Sequence, residues 1–182
     1  MVAIFTGDKT TKLYKILALF SLSIILITSI YGIVMAIYRA IEVVGETLVD
    51  VEFPPIHIFP FFYMKPVTWL NFAIITLTYS SLELGTAVIA KLSEFKKNLI
   101  KLSLFVLGSL AVYETLFNFT LWSGLISRDS IKESLNPDLI INPFPNPDIP
   151  WNIVFSTKLY LAILIICVYT FYFIKKIESN SK

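Results

Sequence analysis

The sequence predicts an all-α membrane protein of four transmembrane helices packed as an antiparallel bundle. The chain of 182 residues is 56% hydrophobic and only 15% charged, which is too apolar for an ordinary soluble domain. It contains four apolar runs that are long enough to cross a hydrocarbon core of about 30 Å as helices. Its lysines and arginines are concentrated in alternate connections between these runs, as expected of a multi-pass protein with a fixed orientation.

The predicted spans cover residues 16–38, 67–90, 102–126 and 153–174. The first run is longer than the apolar core of a secretory signal peptide. Arg39 follows it where a small-residue cleavage site would stand, so we expect this helix to be retained. Within the run, Thr28, Gly32 and Ala36 recur at four-residue steps and predict close contact with another helix. We therefore expect residues 1–182 to form a single four-helix domain.

The connections between the spans differ in composition. Residues 39–51 carry apolar side chains at three- and four-residue steps, which predicts that the first helix continues beyond the membrane as an amphipathic stem. All nine prolines lie in the two longer connections, which are assigned to the outer side. Because proline lacks the N–H donor that a helix needs, the segments 53–66 and 142–151 are predicted to be extended.

Residues 12–91 and 97–176 share one layout, which suggests an internal repeat. Each segment begins with lysine, continues through an apolar helix, a proline-rich connection and a second apolar helix, and ends with lysine. Two such helical hairpins would be parallel repeats related by an axis along the membrane normal. The alternative is that any antiparallel four-helix protein with short inner and long outer connections has this layout.

The charge distribution predicts a cell-membrane protein with both termini cytoplasmic. Ten of the fifteen lysines and arginines lie in the N-terminal segment, the middle connection 91–101 and the C-terminal tail. The other five are assigned to the outer side: Arg39, Lys65, Arg128, Lys132 and Lys158. Tryptophans fall at the outer ends of the second, third and fourth spans, where indole rings favour the headgroup region.

Aromatic residues of the first outer connection and of the span ends form a candidate interface with lipid or with another protein. The first connection is strongly apolar, and an apolar surface of that kind indicates a contact surface. The candidate interface residues are Phe53, His57, Phe61, Phe62, Trp69, Trp122 and Trp151.

Two carboxylates fall within the predicted spans, Glu83 in the second and Glu114 in the third. An ionised carboxylate in lipid is costly, so each should be protonated, paired or turned toward a polar interior. Tyr79 and Asn118 lie one turn away from them and complete the set of intramembrane polar candidates. Since the second and third helices should be antiparallel neighbours, we expect both acids to line one polar seam, with no cationic partner in the spans.

The remaining chemistry-bearing residues indicate no catalytic, metal or cofactor site. His57 is the single histidine, so bis-histidine haem ligation within one chain is excluded. Cys167 stands alone in an apolar run and is expected to pack as a small hydrophobe. The net charge of +2 comes from scattered residues, which argues against nucleic-acid binding.

These features predict a non-catalytic integral membrane subunit that supports or anchors partner subunits of a larger complex, for example a respiratory one. Its partners would be membrane lipid and other integral membrane subunits, or further copies of the chain in a homo-oligomer. One alternative is a small proton- or cation-coupled carrier or channel with Glu83 and Glu114 in the path. Another is a quinone-interacting membrane component of an oxidoreductase. The sequence contains no catalytic constellation that would favour an enzyme.

Overall fold

The computed structural model describes residues 8–38, 44–50, 57–59, 62–63, 65–131 and 151–180. Within these residues the chain is helical apart from one short hairpin, Lys65, and the turns at Gly85 and at residues 91–93. The helices are α1 (Asp8–Tyr38), α2 (Val44–Asp50), α3 (Pro66–Leu84), α4 (Thr86–Ala90), α5 (Glu94–Ile131) and α6 (Trp151–Asn180). The strands β1 (His57–Phe59) and β2 (Phe62–Tyr63) lie between α2 and α3 in the chain and pair antiparallel.

Three of these helices are long and apolar enough to cross a membrane, which confirms the prediction of a helical membrane protein. They cover Lys9–Tyr38, Glu94–Arg128 and Asn152–Asn180, and they correspond to the first, third and fourth predicted spans. Large apolar side chains on them, such as Leu19 and Phe105, are more than half exposed. Such surfaces are suited to lipid as their solvent.

The second predicted span, 67–90, is divided into α3 and α4. α3 ends at Leu84. The N–H of the next residue, Gly85, donates a hydrogen bond of 2.8 Å to the Ser81 carbonyl oxygen, and α4 begins one residue later. Two polar residues of α3, Asn71 and Ser80, are buried. The break leaves α3 with 19 residues, and α3 is not among the helices that have the length and apolarity of a membrane span.

The long helices pack side by side in the order α1, α3, α6, α5. Contacts between Thr68 and Lys158 and between Tyr79 and Tyr169 share an offset of 90 residues along the chain. A constant offset means that the two helices run in the same direction. α3 and α6 are therefore parallel and occupy the centre of an open row.

α5 runs antiparallel to α6 at one edge of the row. A salt bridge of 2.9 Å joins Lys101 to Glu178 near one end of the pair, and Asn118 donates to Ser156 Oγ at 2.9 Å toward the other end. The prediction that the second and third predicted spans are neighbours is wrong, because α6 lies between α3 and α5. Hydropathy could not reveal this order, since every apolar helix face is equally compatible with lipid.

α2 folds back against α1 instead of extending it as an amphipathic stem. A Cβ added to Gly32 of α1 would lie 2.9 Å from Leu48 Cδ2, so the two helices touch where α1 has no side chain. Leu48 and Val49 are buried in one core cluster with Val67 of α3 and Val154 of α6. Burial of this apolar surface, worth about 25 cal/mol per Å², favours the folded-back position over an exposed stem.

Parts of the predicted connections lie outside the described residues. These parts are 39–43, 51–56, 60–61 and 64 in the first outer connection, and 132–150 in the second, which includes most of the proline-rich segment 142–151. In the first proline-rich segment β1 and β2 are extended, as predicted for that stretch. Their pairing, which sets His57 opposite Tyr63 and Phe59 opposite Phe62, adds a hairpin that the sequence pattern does not indicate.

Candidate functional site

Three tyrosines and one glutamate form a cluster that joins α1, α3 and α6. This tyrosine–glutamate cluster consists of Tyr14 of α1, Tyr79 and Glu83 of α3, and Tyr169 of α6. The Tyr169 hydroxyl donates a hydrogen bond of 3.0 Å to Glu83 Oε1. The hydroxyl oxygens of Tyr14 and Tyr79 are 3.5 Å apart, and the ring centroids of Tyr79 and Tyr169 are 5.0 Å apart. The cluster thus links α3 to both of its neighbours.

The position of α3 in the row explains how the cluster assembles. Tyr79 and Glu83 stand one turn apart and therefore extend from the same side of α3. Since α3 lies between α1 and α6, this side reaches Tyr14 in one direction and Tyr169 in the other. A hydroxyl–carboxylate hydrogen bond stabilises a helix contact, and the same carboxyl group can also hold a proton. A recess of about 220 Å³ between α3 and α6 is lined in part by Tyr79 and Tyr169.

Glu114 lies apart from this cluster. It belongs to α5, which α6 separates from α3. Asn118, one turn further along α5, is bonded to Ser156, which places Glu114 level with about residue 160 of α6. Tyr169, the partner of Glu83, is about 13 Å away along that helix. The prediction that both acids line one polar seam is therefore wrong.

Glu114 is half-buried near the middle of α5. Glu114 is the only charged residue between Lys101 and Arg128, which are thirteen and fourteen residues away from it. In the part of the chain that the structure describes, its carboxyl group forms no hydrogen bond and no ion pair. The amide of Asn118 turns to Ser156 instead.

A lysine lies within the fourth predicted span, but it is bonded to a threonine of α3 and not to either of the two acids. Lys158 of α6 donates a hydrogen bond of 3.0 Å from Nζ to Thr68 Oγ1 of α3. Lys65, the N-cap residue of α3, is 2% exposed and interacts electrostatically with Lys158. The bounds 153–174 already contained this lysine, so its place inside the span was readable from the sequence. Lys158 is eleven residues before Tyr169 and therefore remote from the tyrosine–glutamate cluster.

The predicted aromatic interface residues fall into different surroundings. Trp122 packs against the core cluster of α2, α3 and α6, and Trp69 is half-buried in the first turns of α3, so these two side chains take part in the fold. The others lie in β1 (His57), in β2 (Phe62), at the first residue of α6 (Trp151), or outside the described residues (Phe53 and Phe61).

Cys167 is buried where α6 meets α5. A Cβ added to Gly108 of α5 would lie 3.6 Å from Cys167 Cβ, so the sulfur-bearing side chain fills a close helix contact. Both residues line an apolar groove of about 470 Å³ between the two helices. Among the described residues no group of three histidine, cysteine or acidic side chains is placed to hold a metal ion.

Comparison of the chain with family models, curated proteins and solved structures found no match. The molecule is a helical membrane protein with two ionisable residues in its predicted spans, Glu114 and Lys158, outside its tyrosine–glutamate cluster.

Proposed function

We propose that this chain is a non-catalytic integral subunit of a larger membrane complex and that α5 is the helix on which a partner docks. The observation that carries the proposal is the Glu114 carboxyl group, which has no hydrogen-bond partner in the described part of the chain. A protonated carboxyl has a donor without an acceptor, and an ionised one has a charge without a counter-charge. Either state is costly inside the hydrocarbon of a bilayer. A partner helix with a hydrogen-bonding or cationic side chain at this depth would remove the cost.

The surface around Glu114 is suited to such a partner. α5 stands at the edge of the row, and its extensive contacts within the described residues are with α6. Leu110, Phe117 and Leu121 recur at three- and four-residue steps around Glu114, and all three are more than 40% exposed. Apolar packing around one polar anchor is the chemistry of helix association in lipid.

A carrier or channel with both acids in one path has less support. Glu83 is bonded to Tyr169, and α6 separates it from Glu114. A quinone-interacting role would fall to Glu114, whose carboxyl group has no partner among the described residues. Such a role would be detected as a bound quinone in the experiment on α5 below.

We further propose that α3, continued by α4, is a fourth span and that both termini are cytoplasmic. α3 has 19 residues, about 28 Å of helix, and lies between two helices that are long enough to cross a membrane. An even number of spans returns the chain to its starting side, and the lysine-rich side would face the cytoplasm. The order α1, α3, α6, α5 is also what a two-fold axis between α3 and α6 would produce, which supports repeats of residues 12–91 and 97–176.

Cysteine labelling tests this orientation in a variant whose Cys167 is replaced by alanine. We expect single cysteines at Ser130 and Asn152 to react with an impermeant maleimide added outside intact cells. Cysteines at Ser93 and Ser179 should react only after the membrane is permeabilised. All four positions are exposed, so packing within the chain does not limit the reaction. The opposite labelling pattern would invert the proposed topology. With α3 as a span, the N-terminus and position 93 lie on the same side, so an N-terminal tag on the side opposite to position 93 would contradict four spans.

Co-purification tests the proposed docking on α5. A tagged chain extracted in mild detergent from its native membrane should retain at least one other integral membrane protein. Glu114→Gln should retain it as well, because the amide preserves hydrogen-bonding capacity. Glu114→Leu should lower its recovery about tenfold, the effect of losing one buried hydrogen bond to a polar or charged group. A photoreactive phenylalanine in place of Phe117 should crosslink the same partner.

The other exposed flank of α5 supplies matched controls. Ser109 and Phe105 line the groove between α5 and α6, away from the flank of Glu114. Ser109→Leu, a similar polar-to-apolar change, should leave partner recovery unchanged, and a photoreactive group at Phe105 should not capture the partner. Crosslinks to a differently tagged copy would identify a homo-oligomer. A monomer without any partner, a bound quinone alone, or equal recovery with Glu114→Leu would refute the proposal.

A further inference from the structure

Lys158 lies near the end of the helix row that carries Trp69 and Trp122, which we name the tryptophan end. It is the only charged residue between the start of α6 and Lys175. Seventeen residues, or about 26 Å of helix, separate Lys158 from Lys175, and this length approaches the thickness of a hydrocarbon core. The Lys158 ammonium group therefore lies close to the boundary between hydrocarbon and headgroups.

The charge of Lys158 has no counter-charge among the described residues. Its Nζ donates to Thr68 Oγ1 at 3.0 Å, and no described carboxylate forms an ion pair with it. An ammonium group has three hydrogens to donate, and the Thr68 hydroxyl accepts one of them while keeping its own hydrogen for another acceptor. The pair therefore presents several donors and one positive charge, which an anionic acceptor would satisfy.

Lys65 raises the positive potential at the same place. It is 2% exposed, caps the N-terminus of α3, and interacts electrostatically with Lys158. Lys65 has a further interaction within the chain, so the charge that lacks a counter-charge is that of Lys158. Two cations close together in a medium of low dielectric constant repel each other, and the positive end of the α3 dipole adds to the potential. An anion would relieve this repulsion.

We propose that Lys158, Thr68 and Lys65 bind an oxyanion, a phosphate or carboxylate group, at the tryptophan end. Lys158 supplies the charged donor, Thr68 a neutral donor, and Lys65 the additional potential. The depth of Lys158 matches the phosphate of an anionic phospholipid, and a soluble oxyanion entering from the aqueous side has the same chemistry. The inference is independent of docking on α5, because the Lys158 side chain is turned to α3.

Two arms of one experiment distinguish the sources. In the first, the protein is released from nanodiscs of mixed phosphatidylcholine and phosphatidylglycerol, and retained lipid is counted by native mass spectrometry. In the second, inorganic phosphate is titrated into nanodiscs of phosphatidylcholine alone, and the melting temperature is followed. Lys158→Met should weaken about tenfold the response that the wild type shows, in whichever arm it appears, whereas Lys158→Arg should preserve that response. A response in the first arm identifies the lipid headgroup, and one in the second a soluble oxyanion.

Lys176→Met is the matched control, since it removes an exposed lysine near the opposite end of the same helix. It should leave both responses at the wild-type level, which separates a specific site from general attraction of anions to lysine. Thr68→Val keeps both cations and should still reduce the response, so the test does not depend on the folding of Lys158→Met alone. Absence of both responses in the wild type, or equal responses in wild type and Lys158→Met, would overturn the proposal.

Discussion

Replacement of Gly32 by leucine is expected to lower the free energy of unfolding by about 3 kcal/mol, because α2 can then no longer dock on α1. A Cβ at position 32 would lie 2.9 Å from Leu48 Cδ2 and 3.0 Å from Val44 Cγ1, and a full leucine side chain extends much further. Leu48 belongs to the buried cluster that also contains Val67 and Val154. Its displacement therefore loosens α3 and α6 together with α2.

Denaturation of the purified protein in mixed micelles measures this effect. Gly32→Ala should lower the free energy of unfolding by only about 1 kcal/mol, since the ends of two flexible side chains can shift to admit one methyl group. Gly124→Leu is the matched control, because a Cβ at that glycine would meet nothing within 4 Å. Equal stability of Gly32→Leu and Gly124→Leu would show that α2 does not pack on α1 in the membrane protein.

Features encoded within one helix could be predicted from the sequence. Hydropathy over some twenty residues identified α1, α5 and α6, because a helix must be apolar along its whole length to cross lipid. The small side chains of Thr28, Gly32 and Ala36 indicated a packing face, and all three residues are buried. Both signals are local, so they do not depend on which helices are neighbours.

The choice of neighbours could not be predicted in the same way. Lipid is as apolar as the helices, so hydropathy does not distinguish a face that meets a helix from one that meets lipid. Tyr14 and Tyr169 were missed for this reason, because their partners Tyr79 and Glu83 lie 65 and 86 residues away in the chain. The folding back of α2 was missed because its apolar face fits an exposed stem and a docked helix equally well.

The two intramembrane acids should respond in opposite ways when each is replaced by leucine in the isolated chain. Glu83→Leu should lower the free energy of unfolding by about 1 to 2 kcal/mol, since it leaves the hydroxyl group of the half-buried Tyr169 without its acceptor. Glu114→Leu should be neutral or stabilising, because it removes a costly carboxyl group that has no partner among the described residues. The measurement is the same denaturation titration.

A double-mutant cycle of Glu83→Leu and Tyr169→Phe separates the hydrogen bond from other effects of the substitutions. The expected coupling energy is about 0.5 to 2 kcal/mol, the range for polar contacts between membrane helices. Glu83→Gln should retain most of the stability, because its amide oxygen can still accept from Tyr169. If Glu83 only stabilises the contact between α3 and α6, the glutamine variant should also support full activity of the proposed membrane complex. Loss of that activity in a stable, assembled Glu83→Gln variant would instead assign the carboxyl group to proton transfer, since glutamine differs from glutamate there chiefly in lacking a titratable proton.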